Sequence, residues 1–107
     1  MNFEVGQLWT CKAADNEKLH NLLVVSAEEL DDQKIVGVAV VDSEMGDSPF
    51  MPFSQQAIED SVLDLVQSNI DIADFVEGYE YWKELFIEGE AGVYNLSVDE
   101  VLNLDSE

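Results

Sequence analysis

This 107-residue chain contains very little positive charge, with four Lys, no Arg and one His against 24 Asp and Glu residues. Its formal net charge at pH 7 is −20. Nucleic-acid backbones and anionic membrane surfaces are bound by clusters of Lys and Arg, so both repel a chain of this charge. We therefore expect no nucleic acid and no membrane among its partners.

Cysteine and long apolar segments are also scarce. Because Cys11 is the only cysteine, it can form no intramolecular disulfide, and nothing indicates an oxidising compartment. No apolar run approaches the roughly 20 residues of a membrane-spanning helix. Residues 1–6 lack the basic and apolar regions of a signal peptide. We expect a cytoplasmic protein.

Aromatic and aliphatic residues, in contrast, are plentiful. The chain has two Trp, three Tyr and five Phe, and 47% of its residues are hydrophobic. A highly charged chain without such residues would remain disordered, whereas this composition predicts a packed core under an anionic surface. The length predicts a single domain over residues 1–107.

Two apolar runs, residues 22–25 and 35–41, dominate the first half of the chain. They are rich in β-branched residues, contain no proline, and flank a polar connection at residues 28–34. This pattern predicts two central antiparallel strands. Residues 6–12 predict a first strand that is entered through a bend at Gly6.

The segment that follows the central strands, residues 42–53, predicts irregular structure. Gly46, Pro49 and Pro52 interrupt both helical and strand patterns there. Its apolar end, residues 50–53, would be a sticky patch if it were exposed on a monomer. We therefore expect these four residues to pack against the fold.

Two helices are predicted in the second half of the chain. Ser54 can cap a helix over residues 55–68, and Asn69 is a plausible end for it. A second helix is predicted over residues 74–88 and ends at Gly89. The predicted buried positions are Ile58, Val62, Leu65 and Val66 in the first helix, and Phe75, Tyr79, Trp82, Leu85 and Phe86 in the second.

The end of the chain completes the predicted architecture. Residues 91–96 predict a returning strand, and Ser97 and Glu100 have the spacing of a capping box for a short last helix. The order of elements predicts an α+β fold. We expect a small curled antiparallel sheet or an SH3-like barrel, with two main helices and a short C-terminal helix.

The first forty or so residues resemble the start of the SH3-like barrel of MazF/PemK-type proteins. The resemblance depends on Gly6-Gln7-Leu8-Trp9, a polar loop, Leu22-Leu23-Val24-Val25-Ser26 and a third β-rich run. Proteins of that family cleave RNA and hold its phosphates with basic residues around the early strands. Here the same region is net acidic and offers Lys12, Lys18 and Lys34 without Arg. The resemblance therefore implies the barrel but not the ribonuclease activity.

A catalytic pair is conceivable if neighbouring strands bring Cys11 and His20 together. A single Cys in an apolar strand, however, is usually a small buried hydrophobe, and a His beside acidic residues is usually on the surface. We expect no catalytic residue, no cofactor and no enzyme.

The loop around Gly46 has the composition of a possible metal site. Asp42, Glu44 and Asp47 bring hard oxygen ligands into this loop. The EF-hand spacing fails, because Phe53 occupies the position of its bidentate acid. No metal site is expected.

The second predicted helix carries the most informative surface. At 100° per residue its glutamates lie opposite Trp82 and Phe86, with Tyr81 among them. An exposed tyrosine in an acidic field has the composition of an anchor for a basic partner. The alternative is a merely solvated helix face. The predicted partner-binding residues are Glu77, Glu80, Tyr81, Glu84 and Glu88, with Asp60 and Asp64 of the first predicted helix as an extension.

The leading hypothesis is therefore a small acidic interaction protein that binds a basic protein. It could act as an immunity-like or antitoxin-like inhibitor, or as a mimic of nucleic acid. Two alternatives stay open at this point: a non-enzymatic soluble domain whose acidity serves solubility, and a small metal-binding protein. The sequence does not define the oligomeric state.

The net charge predicts that salt stabilises the fold. Raising NaCl from about 0.01 M to about 0.15 M shortens the Debye length from about 30 Å to about 8 Å, which weakens repulsion among the carboxylates. The melting temperature at neutral pH should therefore rise over this range. A flat or falling melting temperature would show that neighbouring groups already compensate the acidic side chains.

Overall fold

The computed structural model describes residues 3–11, 20–30, 32–41 and 50–95. Its elements are β1 (Leu8–Cys11), β2 (His20–Leu30), β3 (Gln33–Val40), β4 (Met51–Ser54), α1 (Gln55–Ser61), β5 (Val62–Gln67), a 3-10 turn (Ala73–Phe75) and α2 (Val76–Ile87). The strands form one antiparallel sheet in the order β4-β3-β2-β1-β5. The α+β prediction is confirmed. Within the described residues β4 and β5 are the two outermost strands of a sheet that does not close, so an SH3-like barrel is not confirmed.

The central strand pair is present and is longer than predicted. Residues 28–34, predicted as a connection, are mostly the ends of β2 and β3. Glu29 lies opposite Lys34 across the ladder, a pairing of opposite charges that favours continued strand. Asp32, which lies between the two strands, has a left-handed φ of 64°, and Asp tolerates this conformation better than most residues do.

One face of the sheet carries the hydrophobic core. Apolar side chains alternate along the strands toward this face, and α1 covers it with Ala57 and Ile58. The buried cluster consists of Phe3, Cys11, Leu22, Val24, Val36, Val38, Val40, Met51, Phe53, Ala57, Ile58 and Val62. The core therefore lies between the sheet and α1.

The first helix is shorter than predicted, because α1 ends at Ser61 instead of residue 68. Its start is as expected: the Ser54 hydroxyl accepts a hydrogen bond from the Ala57 amide at 3.2 Å. In the last turn the Ser61 hydroxyl donates to the Ala57 carbonyl at 2.7 Å. Such a bond back along the helix gives the buried Ser61 hydroxyl a hydrogen-bond partner.

The predicted second half of that helix is the strand β5. The apolar run from Val62 to Val66 fits either periodicity, and pairing with β1 decides for the strand. Leu65 and Val66, predicted to be buried, are 46% and 55% exposed. Asn69, predicted as a helix end, has a left-handed φ of 62° just beyond β5.

All of β4 except Ser54 lies within the segment that was predicted to be irregular. Met51 and Phe53 are buried in the core, so the expected packing of residues 50–53 is confirmed for them. The Pro52 carbonyl accepts a hydrogen bond from the Tyr94 amide at 3.0 Å, on the side away from β3. The amide and carbonyl of a strand residue face the same side of an antiparallel ladder. The missing N–H of Pro52 therefore costs no bond to β3.

The second predicted helix is confirmed. The 3-10 turn leads into α2, and Trp82 is its buried residue, while the other predicted inner positions are half-buried. Gly89 ends the helix with a φ of 80°. The Gly89 amide donates to the Phe86 carbonyl at 3.0 Å, and the Glu90 amide donates to the Leu85 carbonyl at 2.8 Å. These two bonds form a Schellman motif, which requires the left-handed residue.

Phe50 joins α2 to the sheet face opposite the core. A methyl group on Gly37 would overlap the Phe50 ring and crowd the Ser26 hydroxyl, so this ring lies directly on the β3 backbone. The centroid of the ring is 5.6 Å from those of Tyr79 and Trp82 on α2. The two helices therefore cover opposite faces of the sheet.

In the described part of the returning strand predicted at residues 91–96, which is residues 91–95, the structure has a single bridge. Tyr94 pairs in parallel with Phe53, and the Tyr94 carbonyl accepts a hydrogen bond from the Ser54 amide at 2.9 Å. The short helix predicted from Ser97 lies outside the described residues, as does the loop around Gly46.

Replacing Gly37 with Ala tests the contact of Phe50 with the sheet. The added methyl group must displace the Phe50 ring, and overpacking of this kind costs about 1 to 3 kcal/mol of unfolding free energy. Gly92→Ala is the matched control, because a Cβ there meets nothing within 4 Å. We expect urea unfolding to show a loss for Gly37→Ala and almost none for Gly92→Ala. Equal effects would contradict the proposed role of this contact.

Candidate acidic face of the second helix

The five residues predicted to bind a partner on the second helix share its solvent-facing side. Glu77, Glu80, Glu84 and Glu88 are exposed, and 68% of Tyr81 is accessible. The structure therefore gathers these residues on one surface, which we call the acidic face.

Ile87 belongs to the same surface and was not identified from the sequence. It lies three residues after Glu84 and seven after Glu80, which places it on the same side of the helix. It is 70% exposed. The acidic face therefore has Tyr81 on one flank and Ile87 on the other. The signal in the sequence is a large apolar residue that lies off the buried stripe.

Lys83, the lysine of α2, is turned toward the sheet. Its Nζ lies 3.4 Å from Oε2 of Glu28 on β2 and 3.2 Å from the Tyr79 hydroxyl. The Tyr79 hydroxyl in turn donates to Oε1 of Glu28 at 2.7 Å. These three side chains, which we call the Glu28 triad, fasten α2 to β2. The lysine consequently does not offset the glutamates of the acidic face.

The triad changes the acidity of two of its members. Burial raises the pKa of Tyr79, and the hydrogen bond to the Glu28 carboxylate raises it further. The hydrogen bond to Tyr79 and the charge of Glu28 raise the pKa of Lys83. Both shifts favour the neutral phenol and the charged ammonium, so the triad stays intact at neutral pH.

Asp60 and Asp64 do not lie on α2, the helix that carries the acidic face. Asp60 is on α1, where it accepts a hydrogen bond from Nε2 of Gln56 at 3.1 Å. Asp64 is on the edge strand β5 and not on a helix. Since α1 and α2 cover opposite faces of the sheet, Asp60 does not continue the acidic face.

Burial of the thiol argues against a catalytic pair of Cys11 and His20. Cys11 lies opposite His20 in the ladder between β1 and β2, so neighbouring strands do bring the two backbone positions together. The Cys11 side chain is fully buried in the core, which keeps a dissolved substrate from its sulfur. No three metal-ligating side chains cluster within the described ranges, and the loop of Asp42, Glu44 and Asp47 lies outside them.

A shallow cavity of about 370 Å³ lies between Trp82 of α2 and the residues around Tyr94. Its lining includes Pro52, Trp82 and Val93. The indole N–H of Trp82 is already used, since it donates to the Gly92 carbonyl at 3.0 Å. The lining residues that the structure describes offer mainly apolar contact, and none of them is charged.

No protein-family model, curated protein or solved structure matches this chain. Among the helices that the structure describes, none is long and apolar enough to cross a membrane. Any functional assignment must therefore be argued from the side chains themselves.

The shifted pKa of Tyr79 predicts an alkaline limit to the stability from the triad. A group whose pKa is raised on folding stabilises fully below its ordinary pKa, here about 10, and this contribution is lost as pH rises through the raised value. Tyr79→Phe should cost about 1 kcal/mol at neutral pH, since the hydrogen bond is only partly buried.

This cost should shrink toward zero at strongly alkaline pH, as measured by urea unfolding of the wild type and the variant. Tyr81→Phe is the control, because Tyr81 is exposed and should change stability at neither pH. A cost for Tyr79→Phe that is the same at both pH values would show that its hydroxyl does not act through this bond.

Proposed function

We propose that this protein is an acidic interaction protein that binds a basic protein partner through the acidic face of α2. The observation that supports this most is the exposure of Tyr81 and Ile87, 68% and 70%, on either side of four exposed glutamates. Large apolar groups that flank uncompensated charge are typical of binding surfaces. A surface that serves only solubility has no need of them.

The charged and apolar groups would act at different stages of binding. Exposed carboxylates steer a basic partner and raise the association rate. Tyr81 and Ile87 would lose water at the interface and set the dissociation rate. The acidic face therefore combines attraction at a distance with contact area at close range.

The packing of α2 makes this surface rigid before binding. Trp82 is buried, Phe50 contacts both Tyr79 and Trp82, and the Glu28 triad holds the middle of the helix to β2. A surface that is already ordered loses little conformational entropy when it binds.

The spacing of the carboxylates suits a basic site that normally holds phosphates. Glu80, Glu84 and Glu88 repeat every four residues, or about 6 Å along a helix axis. A row of negative charges of this kind resembles a polyanion, so we propose an inhibitor or nucleic-acid mimic as the form of the function. We also propose a cytoplasmic location and an SH3-like arrangement of the early strands, although binding through α2 requires neither.

Capture of partners from a lysate at low salt tests the proposal. The immobilised wild type should retain basic proteins that salt elutes, and Glu77→Gln with Glu84→Gln should reduce this capture. The matched control is Glu4→Gln with Glu29→Gln, which removes the same charge from exposed positions away from α2. Equal losses in the two double variants would show that only the overall charge matters.

Kinetic measurements with a captured partner then separate the two roles. Removing the two α2 glutamates should slow association and flatten its salt dependence. Tyr81→Ala and Ile87→Ser should instead speed dissociation, by roughly thirtyfold at a hot spot worth about 2 kcal/mol. If all these variants leave both rate constants unchanged, the acidic face is only solvated and the proposal fails.

A further inference from the structure

β5 is an edge strand with an apolar and accessible surface. It pairs with β1 on one side, and no other described strand borders it on the outer side. Three of its side chains, Leu63, Leu65 and Val66, are 43%, 46% and 55% exposed. Proteins usually protect such edges, because an open apolar edge is a template for another strand.

The backbone of β5 is oriented for such pairing. Oγ1 of Thr10 accepts a hydrogen bond from the Asp64 amide at 3.2 Å and donates to the Asp64 carbonyl at 3.4 Å. The polar backbone groups of Asp64 therefore face β1. The ladder with β1 shifts register between the pairs Trp9–Leu65 and Cys11–Val62, so the alternation of backbone groups does not extend through Leu63. On the other side of Asp64, alternation turns the backbone groups of Leu65 outward.

Charge determines which strand fits this edge. Asp64 lies within β5, and Asp60 lies just before it on α1, both exposed. A second copy of this chain would bring its own Asp64 and a net charge of −20 to the same edge, and this repulsion opposes self-pairing. A strand that carries Lys or Arg would instead be attracted.

We propose that the outer edge of β5 binds an extended basic segment of a partner protein by β-strand addition. The main chain of that segment bonds to the outward amide and carbonyl of Leu65. Its apolar side chains contact Leu63, Leu65 and Val66, and its Lys or Arg side chains approach Asp60 and Asp64. This inference shares with the proposed function only the positive charge of the partner.

A synthetic peptide of about the length of β5, in which Val alternates with Lys, tests the proposal directly. It should bind the wild-type protein in calorimetry and protect the amide of Leu65 from hydrogen exchange. The same peptide N-methylated at alternate residues cannot complete the ladder, and a Val-Glu peptide has the wrong charge. Both should bind at least about tenfold more weakly, and equal binding by the N-methylated peptide would overturn strand addition.

Protein variants distinguish this site from the acidic face. Leu63→Ser with Leu65→Ser should weaken peptide binding by about tenfold, a loss typical of interface residues that matter. Ile87→Ser should leave it unchanged. The opposite result, a loss with Ile87→Ser alone, would overturn the β5 site and leave the proposed function intact. Retained β5 binding together with kinetically silent α2 variants would overturn the proposed function alone.

Two further outcomes of these experiments are also decisive. If the double β5 variant fails to fold, the comparison of the plain and N-methylated peptides on the wild type still decides. Light scattering that shows a dimer of the wild type, dispersed by the β5 variant, would assign the edge to a second copy and overturn the basic partner.

Discussion

The contact of the Phe50 ring with Gly37 is the constraint on which the second layer of this protein depends. The ring occupies the space that a side chain at Gly37 would fill, and it presents its other side to Tyr79 and Trp82. Its position determines which side of α2 faces the sheet. The same contact consequently determines which residues of α2 reach water, so packing and surface charge are set together.

Local patterns predicted the parts of the fold that depend on local information. The β-branched runs of β2 and β3 and the periodicity of α2 were sufficient for those elements, and Gly89 marked the end of α2 correctly. The helix predicted over residues 55–68 was wrong only beyond Ser61, because the run from Val62 to Val66 fits two periodicities. Pairing with β1, which is remote in the sequence, decides between helix and strand for this run. β4 was not predicted for a related reason. Pro52 interrupts the local strand pattern, and only the sheet shows that its missing N–H faces away from β3 and costs no ladder bond.

The candidate sites likewise divide into those that local sequence predicts and those that depend on remote contacts. The glutamates and Tyr81 were predicted because they share one face of a correctly predicted helix. Ile87 was not predicted, although the same periodicity places it on the acidic face, because an aliphatic residue normally indicates the buried side of a helix. The edge of β5 was beyond prediction, because a residue such as Leu65 was assigned to a helix interior. The inward turn of Lys83 required knowledge of Glu28, which is 55 residues away in the chain.

The pairing of β1 with β5 has a consequence for the order of folding. β2 and β3 join through a short turn, whereas Thr10 and Asp64 are separated by 54 residues. Closing that long loop costs more chain entropy than closing the hairpin, so we expect the β1–β5 ladder to form late and to open early. A ligand that binds only the closed ladder would shift this local equilibrium. The β1–β5 ladder, which we expect to open most readily, is thus the part of the fold that a bound ligand would stabilise most.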